Sequence, residues 1–178
     1  MATYEKNVNR IVVNGGNDLQ IKFGTSPAWE SLGHIISGKI NDKTDNIEVV
    51  FADGDGVDLD GKRKVTGEFV LAQTSKSEIE LLDVLRTSSF PMYFYNGIKE
   101  SKYQEFYFKE VKIIADMELA ISGNELQKIL FKFSGVPQTA NVAPTPSTDL
   151  PTAAKSHATA TPVTGKNKYY VVIETAVA

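Results

Sequence analysis

The chain has no cysteine. That removes disulfides, thiolate nucleophiles and cysteine zinc sites together. Histidine is nearly as scarce, with His34 and His157 alone. A Ser-His-Asp triad would have to draw on His34, and no G-x-S-x-G elbow or second histidine stands beside it. Positive charge is not in excess: 19 Lys and Arg against 22 Asp and Glu give a formal charge of −3. The basic surface that tight nucleic-acid binding requires is therefore missing. No apolar run approaches about 18 residues, and MATYEKNVNRIVV lacks the basic-then-apolar order of a secretory leader. The expectation is a soluble protein, with no membrane partner, made and kept in a cytoplasm. At 178 residues one domain with a core of its own is expected.

What the chain does have is alternation. In IEVVFADGDGVDLDGKRKVTGEFVLAQ, Ile47, Val49 and Phe51 fall on one face of a strand, and Val65, Gly67, Phe69 and Leu71 on one face of the next. The pair reads as an extended hairpin whose acidic, glycine-rich tip runs from Ala52 to Lys62. Ser75 and Glu78 then form an S-x-x-E capping box, which predicts a helix near 76–86 that buries Ile79, Leu82 and Leu85.

Strand candidates dominate the rest: Arg10–Val13, Asp18–Phe23, His34–Ile40, Asn46–Ala52, Lys64–Ala72, Pro91–Tyr95, Glu105–Ile114, Met117–Ser122, Leu126–Phe133 and Tyr169–Val177. Turn residues punctuate them at Asn14-Gly15-Gly16-Asn17, Asn41-Asp42, Thr44-Asp45, Asn96-Gly97 and Ser122-Gly123-Asn124. The predicted fold class is mainly β, a β-sandwich or partly closed barrel with one short α-helix and an extended hairpin. PMYFY (Pro91–Tyr95) and FYF (Phe106–Phe108) are apolar on both faces, as in a strand covered on each side by core or by a neighbouring subunit.

Residues 1–135 read as the β core, 136–166 as a Pro/Thr/Ala-rich extended loop or linker, and 167–178 as a terminal strand. The middle segment has almost no large apolar side chain and cannot form a core of its own. Loops of such length are either disordered or functional. As a flexible coil it would span roughly 30 Å. The terminal strand KYYVVIETAVA either returns to the core or pairs with a neighbour's sheet edge.

Candidate sites resolve to none. Asp53, Asp55, Asp58 and Asp60 fail the EF-hand spacing, with Asp58 where glycine is needed and Lys64 where glutamate is needed. They read as turn-setting, solubilising residues of the hairpin tip. Gly15-Gly16 and Gly54/Gly56 match no phosphate-binding loop. Glu78/Glu80 and Glu118/Glu125 read as solvated charge, His34 as a half-buried satisfied side chain, and Trp29 as a plug at the end of the core. No catalytic, cofactor-binding or metal residue is expected, and no cofactor.

Three segments, WESLGHIISGKINDKTDNIEVVFADGDGV, GKRKVTGEFVLAQTSKSEIELLDVL and MELAISGNELQKILFKFSG, together spanning about 29–135, resemble the tail tube proteins of tailed bacteriophages and the inner-tube proteins of contractile injection systems. The arm and terminal strand after Gly135 depart from that pattern. The resemblance implies a non-enzymatic virion subunit, of tail tube or tail terminator type, that assembles with itself into rings stacked as a DNA conduit. It also implies contacts with other tail or virion proteins, DNA passing without specific binding, and a place in the virion tail after assembly in a host cytoplasm. Two other readings stay open: a capsid decoration or head-fibre protein with the arm as tether, and a monomeric β-barrel ligand-binding module.

Overall fold

The computed structural model describes residues 8–13, 17–23, 28–50, 56–73, 85–114, 118–120 and 127–177. They form strands β1 (Val8–Val13), β2 (Asp18–Lys22), β3 (Trp29–Val50), β4 (Gly56–Gln73), β5 (Ser89–Lys99), β6 (Lys102–Ile113), β7 (Glu118–Ala120), β8 (Gln127–Gly135) and β9 (Tyr170–Ala176), with a one-turn helix α1 (Pro146–Asp149). The order β8-β4-β3-β2-β5-β6 closes on itself through a β6–β8 pairing, giving a six-stranded antiparallel barrel. Among the described residues β1, β7 and β9 attach to it through β3, β8 and β6.

Alternation puts one face of each strand inside. Val65, Phe69 and Leu71 of β4 are fully buried, and they meet Phe94, Phe106, Phe108, Phe131 and Phe133 in one core. The rings are fitted to each other: Phe94 stacks on Phe106 at 4.9 Å, Phe69 on Phe133 at 5.5 Å, and Phe108 meets Phe133 edge-on at 5.3 Å. Two glycines make room for them. A Cβ at Gly38 would lie 2.4 Å from the Phe69 ring, and one at Gly67 2.4 Å from the Phe133 ring. Small inward residues under large rings let a narrow barrel close.

Three turn predictions are corrected. Asn41-Asp42 and Thr44-Asp45 do not turn the chain; β3 runs through both, with only a register shift between Thr44 and Asn46. A bulge absorbs the turn-prone residue because the ladder to β4 continues on both sides. The hairpin tip is also shorter than 52–62, since Gly56 already pairs with Val50, Asp58 with Glu48 and Asp60 with Asn46. Asn96-Gly97 is likewise a bulge inside β5, Gly97 taking φ 92°, and the turn falls at Glu100-Ser101, whose φ values of 51° and 60° suit a two-residue hairpin loop. Pro91 sits at another β5 register shift, where its missing N–H costs no ladder bond. The predicted helix near 76–86 lies outside the described residues except for its end, where Leu85 is fully buried.

After Gly135 the chain forms a doubled strap. Its outgoing and returning limbs are tied by Gln138 N–H to Lys168 O (2.8 Å), Val142 N–H to Asn167 O (3.0 Å), Val163 N–H to Pro144 O (2.9 Å) and Ser147 N–H to Thr159 O (3.1 Å). β9 then pairs with β6 of the same chain, from Tyr170↔Phe108 to Ala176↔Lys102.

Candidate assembly surface

Three features are built with care in this molecule: the outer face under the strap, the root of the β3–β4 hairpin, and the hairpin itself.

The doubly apolar strands β5 and β6 turn Met92, Phe94, Phe106 and Phe108 into the barrel, and Tyr93 and Tyr107 outward. The outward pair is covered by the strap's Val142, Leu150 and Ala154, together with Val171 and Ile173 of β9. Trp29, half-buried at the start of β3, meets Tyr93 and Tyr107 edge-on at 6.2 and 6.4 Å. Glu105 lies on the same outer face and has no exposure at all. Its carboxylate accepts the Tyr93 hydroxyl at 2.5 Å, the Lys155 N–H at 2.6 Å and the Ser156 N–H at 3.0 Å. A buried carboxylate with three donors is a fastener for the strap. Burial, and then the Glu105 contact, hold the Tyr93 hydroxyl far above the ordinary tyrosine range. Beside this fastener, Ser156 Oγ and His157 Nδ1 are buried with no protein partner. Sequence reasoning missed Glu105. Its one signal was a charge at an outward position between aromatic residues that themselves read as covered.

At the hairpin root, the Arg63 guanidinium grips the Asp42 carboxylate with both Nε (2.7 Å) and Nη2. Asp42 is 5% exposed. Tyr170 donates to the same carboxylate at 3.0 Å, and Tyr169 donates to the Arg63 carbonyl at 2.5 Å while its ring lies under the guanidinium. The Asp42 hydrogen bonds raise the Arg63 pKa further above its ordinary value. Burial, then the Asp42 charge, push the Tyr170 hydroxyl up to about 12. This cluster ties β3 and β4 to β9 where the barrel ends.

Among the described residues the hairpin continues alone beyond the root. β1 pairs with β3 only as far as Val8↔Lys43, and β8 pairs with β4 only from Thr66 onward. Residues 46–50 and 56–60 have no strand partner but each other among the described residues. The register sets Ile47 opposite Leu59, Val49 opposite Val57 and acidic Glu48 opposite acidic Asp58.

The remaining candidates are not brought together. Asp53 and Asp55 lie outside the described residues, as do Glu78, Glu80 and Glu125, and Asp58 and Asp60 are ladder positions of β4. Among the described residues no three His, Asp or Glu are grouped to hold a metal ion, and no helix is long and apolar enough to cross a membrane. His34 is as expected, half-buried and satisfied: its side chain is 52% exposed and contacts Asp18 at 3.1 Å. Gly33 before it takes φ 140°. His157 lies on the strap.

No family model matches the chain, and no curated protein matches it. Among solved structures, one similar chain comes from the tail of an empty GTA particle with C6 symmetry, at 11% identity and TM-score 0.46, covering 67% of this chain and 90% of that one. Another comes from the virion of a native gene transfer agent (GTA) particle, at 12% identity and TM-score 0.43, covering 67% and 91%. Both fall below the level at which a shared fold follows.

Proposed function

We propose that this protein is a non-enzymatic structural subunit of a tail-like assembly, of tail tube or tail terminator type, that forms rings stacked into a conduit for DNA. The observation that carries the reading is the outer half of the β3–β4 hairpin. A two-stranded ribbon is marginal in water, and like charges opposite each other, as at Glu48 and Asp58, weaken it further. Yet its root is clamped by the Asp42–Arg63–Tyr169–Tyr170 cluster. A clamped arm with too little support of its own is suited to contact another copy, and sheet edges meeting across subunits turn an aggregation hazard into the bond of a closed ring. Its partners are other copies and other virion proteins. Its location is the virion tail, after assembly in a host cytoplasm. DNA slides through such a tube because a net acidic subunit offers few cations to phosphates.

The other readings have less in their favour. A free stalk is not what the strap forms, and the barrel interior is filled by phenylalanine rings where a ligand would sit.

Electron microscopy and mass photometry of the concentrated protein test the proposal. Rings or tubes are expected, and shortening Asp53–Gly61 should leave rings that no longer stack. Monodisperse single copies, even beside other tail components, would overturn it.

A further inference from the structure

We propose that the free edge of β9 in one copy pairs with the free edge of β1 in the next, joining the two sheets across the subunit boundary. This inference rests on the ring-forming reading and names its contact.

Among the described residues β9 has a strand partner on one side only, β6, and on its other side only the first N–H, of Tyr170, is taken, by the Asn167 side chain. Its register is unbroken over all seven residues, YVVIETA, with no proline, no lysine and no bulge. Those are the devices by which folded proteins blunt an exposed edge. Its one charged residue, Glu174, has Lys102 3.3 Å away on the neighbouring strand. An open groove of about 490 Å³ runs beside the strand, lined by Val172 and Glu174, by Asp42 and Arg63, and by strap residues 164–167. The strap covers the start of the edge, where Asn167 takes the Tyr170 N–H, and from Val172 onward the edge borders this groove.

β1 is the matching half. Among the described residues it too has a strand partner on one side only, β3, with an unbroken register and no proline. Laid antiparallel to β9 with Arg10 opposite Glu174, its sequence sets Ile11 opposite Ile173, Val12 opposite Val172, Val13 opposite Val171 and Asn9 opposite Thr175. An opposite-charge pair followed by three β-branched pairs is a combination that favours strand pairing. A slip of one residue puts Arg10 against Ile173 or Thr175 and loses the charge pair. Pairing β9 with itself about Ile173 sets Glu174 against Val172 and also loses it.

The contact cannot form within one chain. Going round the barrel wall, β5 and β6 separate β1 from β9 in one direction, and β3 and β4 in the other. It therefore joins two copies, and because it uses two different edges it is head-to-tail. Such contacts propagate, and they close into a ring when the rotation permits.

The absence of native cysteine makes cross-linking a clean test. A chain carrying both Arg10→Cys and Glu174→Cys is oxidised after assembly and run on a non-reducing gel, with particle mass measured in parallel. The expected result is a ladder of covalent multimers from the double variant, none from either single variant alone, and only covalent dimers from a mixture of the two singles. Charge exchange supplies a second measurement. Arg10→Glu or Glu174→Arg alone should raise the concentration for half-assembly by roughly fivefold or more, and the two in one chain should restore it to within about twofold. Multimeric particles with neither cross-links nor a charge effect would overturn the β1–β9 contact and leave the ring reading standing. A Glu174→Cys chain that cross-links to itself would overturn the contact in favour of β9 self-pairing centred on Glu174. A wild-type protein that stays single at every concentration would overturn both.

Discussion

Glu105 shows how much one side chain decides here. It is charged, has no exposure, and satisfies three donors, two of them strap backbone N–H groups. Replacing it by alanine strands all three, at about 1–3 kcal/mol for each buried donor left unmet. Glu105→Ala should therefore lower stability by several kcal/mol in urea melts and open the strap to protease between 139 and 166. Glu105→Gln should cost less. Both the Tyr93 hydroxyl and the Lys155 N–H bond the same carboxylate oxygen, so the retained amide oxygen can still serve them and only the Ser156 N–H is lost. An alanine variant within about 0.5 kcal/mol of wild type would show that apolar packing alone holds the strap. Nothing in the local sequence distinguishes Glu105 from a solvated glutamate, because its partners lie 12, 50 and 51 residues away.

Among the elements, β4 is the one whose sequence says most and whose glycine says what the pattern could not. Val65, Gly67, Phe69 and Leu71 share the inward face that alternation predicts. Why position 67 is glycine appears only when β8 lies alongside, placing the Phe133 ring where a Cβ would go. Phe133 is itself held between Phe69 and Phe108 and has little room to yield. Gly67→Ala should destabilise by about 1–3 kcal/mol, the usual range for overpacking. Gly135→Ala, whose Cβ would come no closer than 3.2 Å to Tyr169, should cost less, and thermal melts of the pair check the contrast. The same neighbour-dependence explains the turns. Asn41-Asp42 and Asn96-Gly97 have turn chemistry, but pairing across the strand overrides it and leaves straight ladder or bulge.

For the whole molecule, closing the barrel and laying the strap over it buries several tyrosines, and this gives stability a pH limit. Burial, with Asp149 adding to it, pushes Tyr107 up to about 12, and Tyr170 reaches about 12 beside Asp42. Tyr93 lies higher still. A raised pKa means that the folded state holds its proton more tightly than the unfolded chain does. The resulting stability is complete below pH of about 10, and it declines as pH rises through about 12, by about 1.4 kcal/mol per pH unit for each such tyrosine. Melting temperature should fall steeply between those values while tyrosinate absorbance lags the unperturbed curve; a flat melting temperature up to pH of about 11.5 would contradict it. Sequence alone determined the β class, the long hairpin and the inward residues of β4, because alternation and residue type are local properties. The double apolarity of β5 and β6 was also legible, but not what covers their outer face. The answer is a Pro/Thr/Ala-rich segment with no core of its own, which packs by borrowing Tyr93, Tyr107, Val171 and Ile173. The strap's docking, the Asp42–Arg63 clamp and the edges that β1 and β9 leave without a strand partner among the described residues were decided only by tertiary structure, since each depends on groups far apart in sequence meeting, or failing to meet, once the barrel has closed.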